Sequence, residues 1–132
     1  MPSRTGIVST GAPPAVGAYP HARRAGNLLF LSGIGPRSTD GSRIPDDIAA
    51  QCHAVFANVR AVLASAGADL GDLVDVTVYL TDIARDFETF NRIYGEYFDA
   101  ANGPCRTTVE VNRLPTPIAI ELKCVAALKP DR

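Results

Sequence analysis

Residues 73–80, Leu-Val-Asp-Val-Thr-Val-Tyr-Leu, decide how this chain folds. From residue 74 onward, Val74, Val76, Val78 and Leu80 alternate with polar or aromatic side chains. Successive side chains of a strand point to opposite faces of a sheet, so this period of two predicts a half-buried strand. Neighbouring elements with apolar faces are then needed to cover its buried side.

Two amphipathic helices are predicted on either side of this strand in the sequence. Asp46 or Asp47 can cap a first helix that runs to about Ala66 and buries apolar residues spaced three and four apart. Gly67 follows where a helix-ending glycine is favoured. A second helix, with an aromatic face, is predicted from residue 81 or 82 to about residue 98.

Four further strands complete the predicted order β-β-α-β-α-β-β. They are expected at residues 7–8, 28–32, 106–112 and 118–127, the second of them as a continuous apolar run typical of a fully buried strand. No linker or repeat divides the chain. We therefore expect one α+β domain over residues 1–132, with both helices packed on one face of a mixed sheet.

Composition excludes several classes of function. The 132 residues are 46% hydrophobic and carry a net charge of −1 without a basic stripe, which argues against nucleic-acid binding. No apolar run approaches the length of a membrane span or a signal peptide, so we expect a cytoplasmic protein. Three cysteines and two histidines, widely spaced, predict reduced thiols and no metal or cofactor site. Such a short chain also favours association with copies of itself.

The residues that point to chemistry are Arg106 and Glu121, each in an otherwise apolar strand. If the two strands pair as a hairpin around residues 114–115, these side chains come close. The arginine could then bind a carboxylate through two hydrogen bonds, and the glutamate could orient a water or move a proton. The alternative is a structural ion pair on a solvent-facing surface, which spacing alone favours.

An ordered set of segments resembles the RidA (YjgF) family of small deaminases. The segments are residues 16–20, 31–33, 48–51, 66–68, 73–80, 86–98, 104–111, 114–115 and 120–121. The resemblance implies a chorismate-mutase-like α+β fold and a homotrimer with active sites between subunits. It also implies hydrolysis of reactive enamines or imines to ketones and ammonia, without a cofactor.

The resemblance also implies roles for five residues of this chain. Arg106 would bind the substrate carboxylate and Glu121 would hold the attacking water. Tyr19 and the backbone at Gly33 would line the pocket, and Asn91 occupies another recurrent position. An iminium carbon is already electrophilic, so a positioned water and a clamped carboxylate can suffice.

Three departures from the common family pattern stand near this predicted site. Ile34 replaces a glutamine after Ser-Gly, which removes an amide side chain. Thr108 stands where a cysteine often follows the arginine by two residues. Cys105 precedes the arginine, where alanine is usual, and we interpret it as a small packed side chain rather than a nucleophile.

Further segments, among them residues 19–26 and 94–99, resemble the 2-aminomuconate deaminase branch, whose substrate is a dicarboxylate enamine. A second carboxylate needs a second cation or a set of donors. Arg37, Arg24 or His21 could supply it, although Arg37 could equally be a solvated loop charge and His21 is more simply a surface or strand-edge residue. Two readings remain beside this one, a general 2-imino acid deaminase and a non-catalytic module that binds small carboxylates. RNA cleavage has been attached to relatives, but the charge balance argues against it.

Overall fold

The computed structural model describes residues 6–130, which form a five-stranded mixed sheet with two helices on one face. The elements, in chain order, are β1 (Ala22–Ala25), β2 (Leu28–Leu31), α1 (Ile48–Ser65), a 3-10 turn (Leu70–Asp72), β3 (Leu73–Leu80), α2 (Ile83–Tyr97), β4 (Cys105–Glu110) and β5 (Ile120–Ala127). The sheet order is β1-β2-β5-β3-β4. The predicted α+β class, with both helices on one side of the sheet, is confirmed.

The core lies between the helices and one face of the sheet, which we call the helix face. β5 alternates buried and half-buried residues along its whole length, and β3 places Val76, Val78 and Leu80 on the buried side. Large side chains of the helices that meet them are Val55, Phe56, Val59, Val62, Leu63, Phe90 and Ile93, all at most 1% exposed. Burial of this apolar surface is the main force holding helices to sheet.

The helices begin and end at the residues expected from their sequence signals. Asp47 caps α1, since its carboxylate accepts the N–H of Ala50 at 2.7 Å. Gly67, with φ of 73°, follows the end of that helix in the left-handed conformation that glycine adopts without cost. Asp82 caps α2 through the N–H of Arg85. Each such cap stabilises its helix by about 1 kcal/mol.

The first strand is not where the sequence predicted it. Residues 7–8 contribute only an isolated bridge between Ile7 and Ala22, and the strand itself is Ala22–Ala25. A two-residue turn joins it to β2, with Gly26 in the left-handed region at φ of 61°. Gly26 is typical of such a hairpin turn, but the polar residues Arg23 and Arg24 before it are not typical of a strand, so β1 was not predicted.

The apolar run at residues 28–32 is also only half-buried. Leu29 and Leu31 are fully buried on the helix face, whereas Leu28 and Phe30 are each 40% exposed on the other side. We call that other side the open face, because no element of the described chain covers it. Its side chains, identified from the strand registers, include Leu28, Phe30, Tyr79, Cys105, Thr107, Val109, Glu121, Lys123 and Val125.

The predicted hairpin between the strands that carry Arg106 and Glu121 does not form. β3 lies between β4 and β5, pairing parallel with β4 and antiparallel with β5. The parallel pair is a β-α-β unit in which α2 makes the crossover. β4 is therefore an edge strand, and its outer side has no partner in the described chain. No helix in residues 6–130 is long and apolar enough to cross a membrane.

Candidate active site

Arg106 lies on the helix face at the edge of the sheet. The register pairs it with Val76, whose side chain is fully buried on that face. Its guanidinium therefore points toward α2, where Nη1 donates to Oδ1 of Asn91 at 2.9 Å. The structure thus brings together two of the residues predicted for the site.

Three aromatic rings of α2 form a platform for this guanidinium. Its central carbon lies 4.6 Å from the ring centre of Tyr94, 5.3 Å from that of Phe90 and 5.9 Å from that of Phe87. The spacing of three and four residues sets these rings on one side of the helix. Such contacts hold a cation by electrostatic attraction to the ring faces without neutralising it.

Arg106 also has no anionic partner in the part of the chain that the structure describes. The ion pairs found there join Arg85 to Asp82 and Asp86. An amide oxygen and three ring faces leave the positive charge uncompensated. The arrangement is suited to receive a carboxylate from outside the chain.

Two hydroxyl groups near this cation are buried without a hydrogen-bond partner among residues 6–130, those of Tyr94 and Thr108. Burial raises the pKa of Tyr94, and the nearby charge of Arg106 only partly offsets the rise. The phenol is therefore neutral and remains a possible donor. Buried polar groups usually have a hydrogen-bond partner, so both hydroxyls are suited to contact a polar group of a bound molecule.

Glu121 occupies the open face and lies against the end of β2. A Cβ atom added to Gly33 would come within 2.8 Å of Oε2 of Glu121, so only glycine allows this approach. Burial raises the pKa of the Glu121 carboxyl. The carboxylate has no hydrogen-bond or ion-pair partner among residues 6–130, which leaves its oxygens available to a water or a substrate.

The segment around Tyr19 is tied to the same strand end. Ser32 donates its hydroxyl to the carbonyl of Pro20 at 2.7 Å. Tyr19 itself is 43% exposed, and its hydroxyl accepts a long hydrogen bond of 3.4 Å from the N–H of Val16. Lys123, also on the open face, donates from Nζ to the carbonyl of Leu31.

Arg106 and Glu121 are thus held apart within one chain. They lie on opposite faces of the sheet, with β3 between their strands, a separation of about 10 Å across the sheet. The structural ion pair that spacing favoured cannot form within the chain. What exists instead is two half-sites, one with Arg106 and Asn91 and the other with Gly33 and Glu121.

Comparison with known proteins identifies the family of this chain. Residues 9–128 match the family described as Endoribonuclease L-PSP. The chain belongs to the RidA (YjgF) family. It is 41% identical over 123 residues to a RutC family protein of Pyrococcus horikoshii, covering 91% of this chain and 94% of that protein. It is 37% identical over 122 residues to the 2-iminobutanoate/2-iminopropanoate deaminase of Escherichia coli K12, covering 91% and 94%.

The solved structure of E. coli TdcF with bound serine is similar in fold to this RidA-family chain. Its TM-score is 0.87 at 33% identity, covering 95% of this chain and 99% of that one. The expected fold is therefore confirmed, and deaminases among the relatives support activity on C–N bonds in general. Binding of a small carboxylate is likewise established for a structural neighbour.

The three candidates for a second cation do not join either half-site. His21 is 7% exposed; its Nδ1 accepts the N–H of Ser9 and its Nε2 lies 2.6 Å from the carbonyl of Pro13. Both ring nitrogens thus contact backbone groups, so the side chain has a structural role within its own chain. His21 is buried rather than on the surface, and it directly precedes strand β1, which agrees with the strand-edge alternative.

The two arginines are engaged elsewhere. Arg37 donates to the carbonyl of Pro14 at 2.7 Å, in a loop whose backbone carbonyls bind Asn58 of α1. Arg24 lies on the edge strand β1 and donates to the carbonyl of Gly26 at its own turn. Arg37 was predicted to bind substrate, and the structure places it on the helix side of the molecule.

The cysteines differ sharply in their surroundings. Cys52 and Cys124 are fully buried, and burial raises the pKa of each thiol to about 12. Neither can be a thiolate at neutral pH. Cys105, expected to be packed, is instead exposed on the open face of edge strand β4, since its register partner Asp75 lies there. The prediction that Cys105 is packed was wrong for the single chain, because the sequence does not show that the open face is uncovered.

Two features of the site were missed in the sequence. The sequence predicts the aromatic face of α2, but it does not show that Phe87, Phe90 and Tyr94 surround the Arg106 guanidinium. The contact of Lys123 with the end of β2 depends on the pairing of strands that are far apart in sequence. No local pattern reports such a pairing.

Proposed function

We propose that the chain is a hydrolytic deaminase that converts an enamine or imine of a 2-amino acid into the oxo acid and ammonia. The observation that carries this is Arg106, a half-buried cation held by Asn91 and aromatic rings and unpaired among residues 6–130. It would bind the substrate carboxylate bidentately, which fixes the adjacent imine carbon.

Glu121 is the group suited to hold the attacking water. Its raised pKa makes it a better base than an ordinary carboxylate, and it has no competing partner in the described chain. It would take a proton from the water as the oxygen bonds to the carbon of the protonated imine, whose C–N π electrons move to nitrogen. When that proton is returned to nitrogen the carbinolamine expels ammonia, and its hydroxyl proton passes to Glu121 as the C=O bond of the oxo acid forms.

A complete site requires a second copy of the chain, because Arg106 and Glu121 occupy opposite faces. The exposed apolar residues Leu28, Phe30 and Val109 on the open face support a contact that covers it. We expect a ring, a homotrimer, in which the edge strand of one subunit brings Arg106 to the Glu121 half-site of the next. Such head-to-tail contacts close into rings when the rotation permits.

Mixing two inactive variants tests this arrangement. Arg106→Ala and Glu121→Gln chains should each be inactive alone. Refolded together in equal amounts, they should recover about a quarter of the wild-type rate, because a site needs an intact arginine from one chain and an intact glutamate from its neighbour. Mixed protein that stays inactive, while assembling like wild type by size-exclusion chromatography, would argue that both groups act within one chain.

The finer proposal is that 2-aminomuconate is preferred over simple 2-imino acids such as 2-iminobutanoate. It rests on the resemblance of residues 19–26 and 94–99 to that branch. Ammonia release from each substrate, freshly generated, decides between them. Equal or absent activity on 2-aminomuconate leaves the general imino acid deaminase, for which the E. coli relative provides equal support.

A non-catalytic carboxylate-binding module is the second candidate. Its support is Ile34, which is 5% exposed and bridges to Leu122, so no polar side chain extends from the position after Gly33. If wild type binds 2-oxobutanoate in an Arg106-dependent manner yet releases no ammonia from any imine tested, the binding module is the correct interpretation.

A further inference from the structure

Lys123 and Glu121 are neighbours of opposite charge that make no ion pair with each other. They are two residues apart on β5 and therefore on the same face of the sheet. Both lean toward the end of β2: the Glu121 carboxylate lies against Gly33, and the Lys123 ammonium binds the carbonyl of Leu31. Two strand residues separate these contact points, a distance of about 7 Å.

The ammonium of Lys123 is only partly satisfied. It has three donors, and the carbonyl of Leu31 is its one hydrogen-bond partner among residues 6–130. No ion pair links it to Glu121 or to Asp75, which lies near it on the same face. A half-buried cation with further donors, beside the carboxylate proposed to hold the attacking water, is suited to bind an anionic group.

Other cations are less well placed for this role. Arg37 and Arg24 lie on the helix side or at the far edge strand, and both ring nitrogens of His21 contact backbone groups. Arg23 does face the open side, since it pairs with Phe30, but β2 separates its strand from β5. Lys123 alone among these shares both the face and the strand of Glu121.

We propose that Lys123 binds a second anionic group of the substrate, so that the site prefers dicarboxylate imines to monocarboxylate ones. The inference rests on the proposed deaminase function. Arg106 of a neighbouring copy would hold the carboxylate next to the reacting carbon, and Lys123 would hold the distal one. Glu121, as the proposed holder of the attacking water, would act on the carbon beside the carboxylate that Arg106 binds.

The test compares 2-iminoglutarate with 2-iminobutanoate, each generated in place by an amino-acid oxidase. Wild type should show the higher kcat/KM on the dicarboxylate. Lys123→Met should lower the ratio of the two kcat/KM values about tenfold or more, chiefly through KM for the dicarboxylate. Lys123→Arg, which keeps the charge, should restore most of the ratio. Lys129→Met is the matched control, because Lys129 is the other lysine of the chain and is exposed.

Several results would overturn the inference. One is an equal loss of kcat/KM on both substrates in Lys123→Met, which would indicate a structural role. Another is a wild type with equal kcat/KM on the two substrates. A third is that Arg23→Met, rather than Lys123→Met, lowers the ratio of the two kcat/KM values. Binding titrations of the protein with 2-oxoglutarate and 2-oxobutanoate distinguish a failure of the Lys123 proposal from a failure of the deaminase proposal. Lys123-dependent binding of the diacid without turnover of either imine overturns the catalytic proposal and keeps the anion site.

Discussion

Replacing Gly33 by alanine probes how closely Glu121 must approach the strand end. The new Cβ would lie 2.8 Å from Oε2 and 2.9 Å from Cδ of Glu121. The carboxylate must retreat by about 0.6 Å to reach an ordinary contact near 3.4 Å. Misplacement by 1 Å costs roughly a hundredfold in rate, so we expect kcat for imine hydrolysis to fall about tenfold or more.

The same substitution should barely affect folding. Gly33 is not among the glycines with positive φ, so alanine meets no backbone strain there. The clash is with the flexible end of one side chain, and the free energy of unfolding should change by less than about 1 kcal/mol. Urea unfolding and ammonia release, measured on the same preparation, check both expectations.

Gly95→Ala is the matched control. No heavy atom lies within 4 Å of the Cβ that alanine would add at Gly95, which is inside α2. That variant should retain wild-type kcat and gain up to about 1 kcal/mol of stability from the better helix former. If Gly33→Ala keeps the wild-type rate, Glu121 does not need its present position and its assignment as water holder is wrong.

Three further predictions follow from the two half-sites. Arg106→Lys should lower kcat/KM about tenfold or more in the ammonia assay, because lysine cannot make the bidentate contact; an unchanged value would remove the carboxylate-anchor role. Because burial raises the pKa of Glu121, the folded protein binds more protons than the unfolded chain between pH 4.5 and the raised pKa. The contribution of Glu121 to the free energy of unfolding therefore falls as the pH rises through that window. Glu121→Gln should therefore be more stable than wild type at pH 7 in thermal melts, with the gain vanishing below pH 4.5, and the acidic limb of wild-type kcat/KM should lie above 4.5. Tyr94→Phe removes a buried hydroxyl without a partner in the described chain and should leave stability equal or higher by about 1 kcal/mol in urea unfolding, whereas a loss would mean that the hydroxyl has a partner.

The sequence predicted the elements well because their signals are local. Asp47, Asp82 and Gly67 mark helix ends through hydrogen bonds and backbone conformations that involve only nearby residues. The alternation in β3 reports its buried face correctly from Val76 to Leu80. It is wrong at Val74, which is 43% exposed, because the strand pairing is irregular between Leu73 and Asp75 and Leu73 is buried instead. The family resemblance, which spans these same segments, is confirmed by the match over residues 9–128.

The relation between elements could not be predicted in the same way. A parallel pairing of β3 with β4 inserts β3 between the strands of Arg106 and Glu121, and nothing near either residue encodes it. The apolar run at residues 28–32 was predicted as a fully buried strand for the same reason. In the single chain, Leu28 and Phe30 lie on the uncovered side of the sheet. A surface that is buried only by another molecule has the composition of a core.

The exposed thiol of Cys105 allows the coverage of the open face to be measured. The thiols of Cys52 and Cys124 are shielded and have pKa values of about 12, so an alkylating reagent at neutral pH would modify Cys105 selectively. In the proposed ring, the labelling stoichiometry of Cys105 in native protein would count the subunits whose open face is uncovered. The thiol would then report dissociation on dilution without an engineered tag.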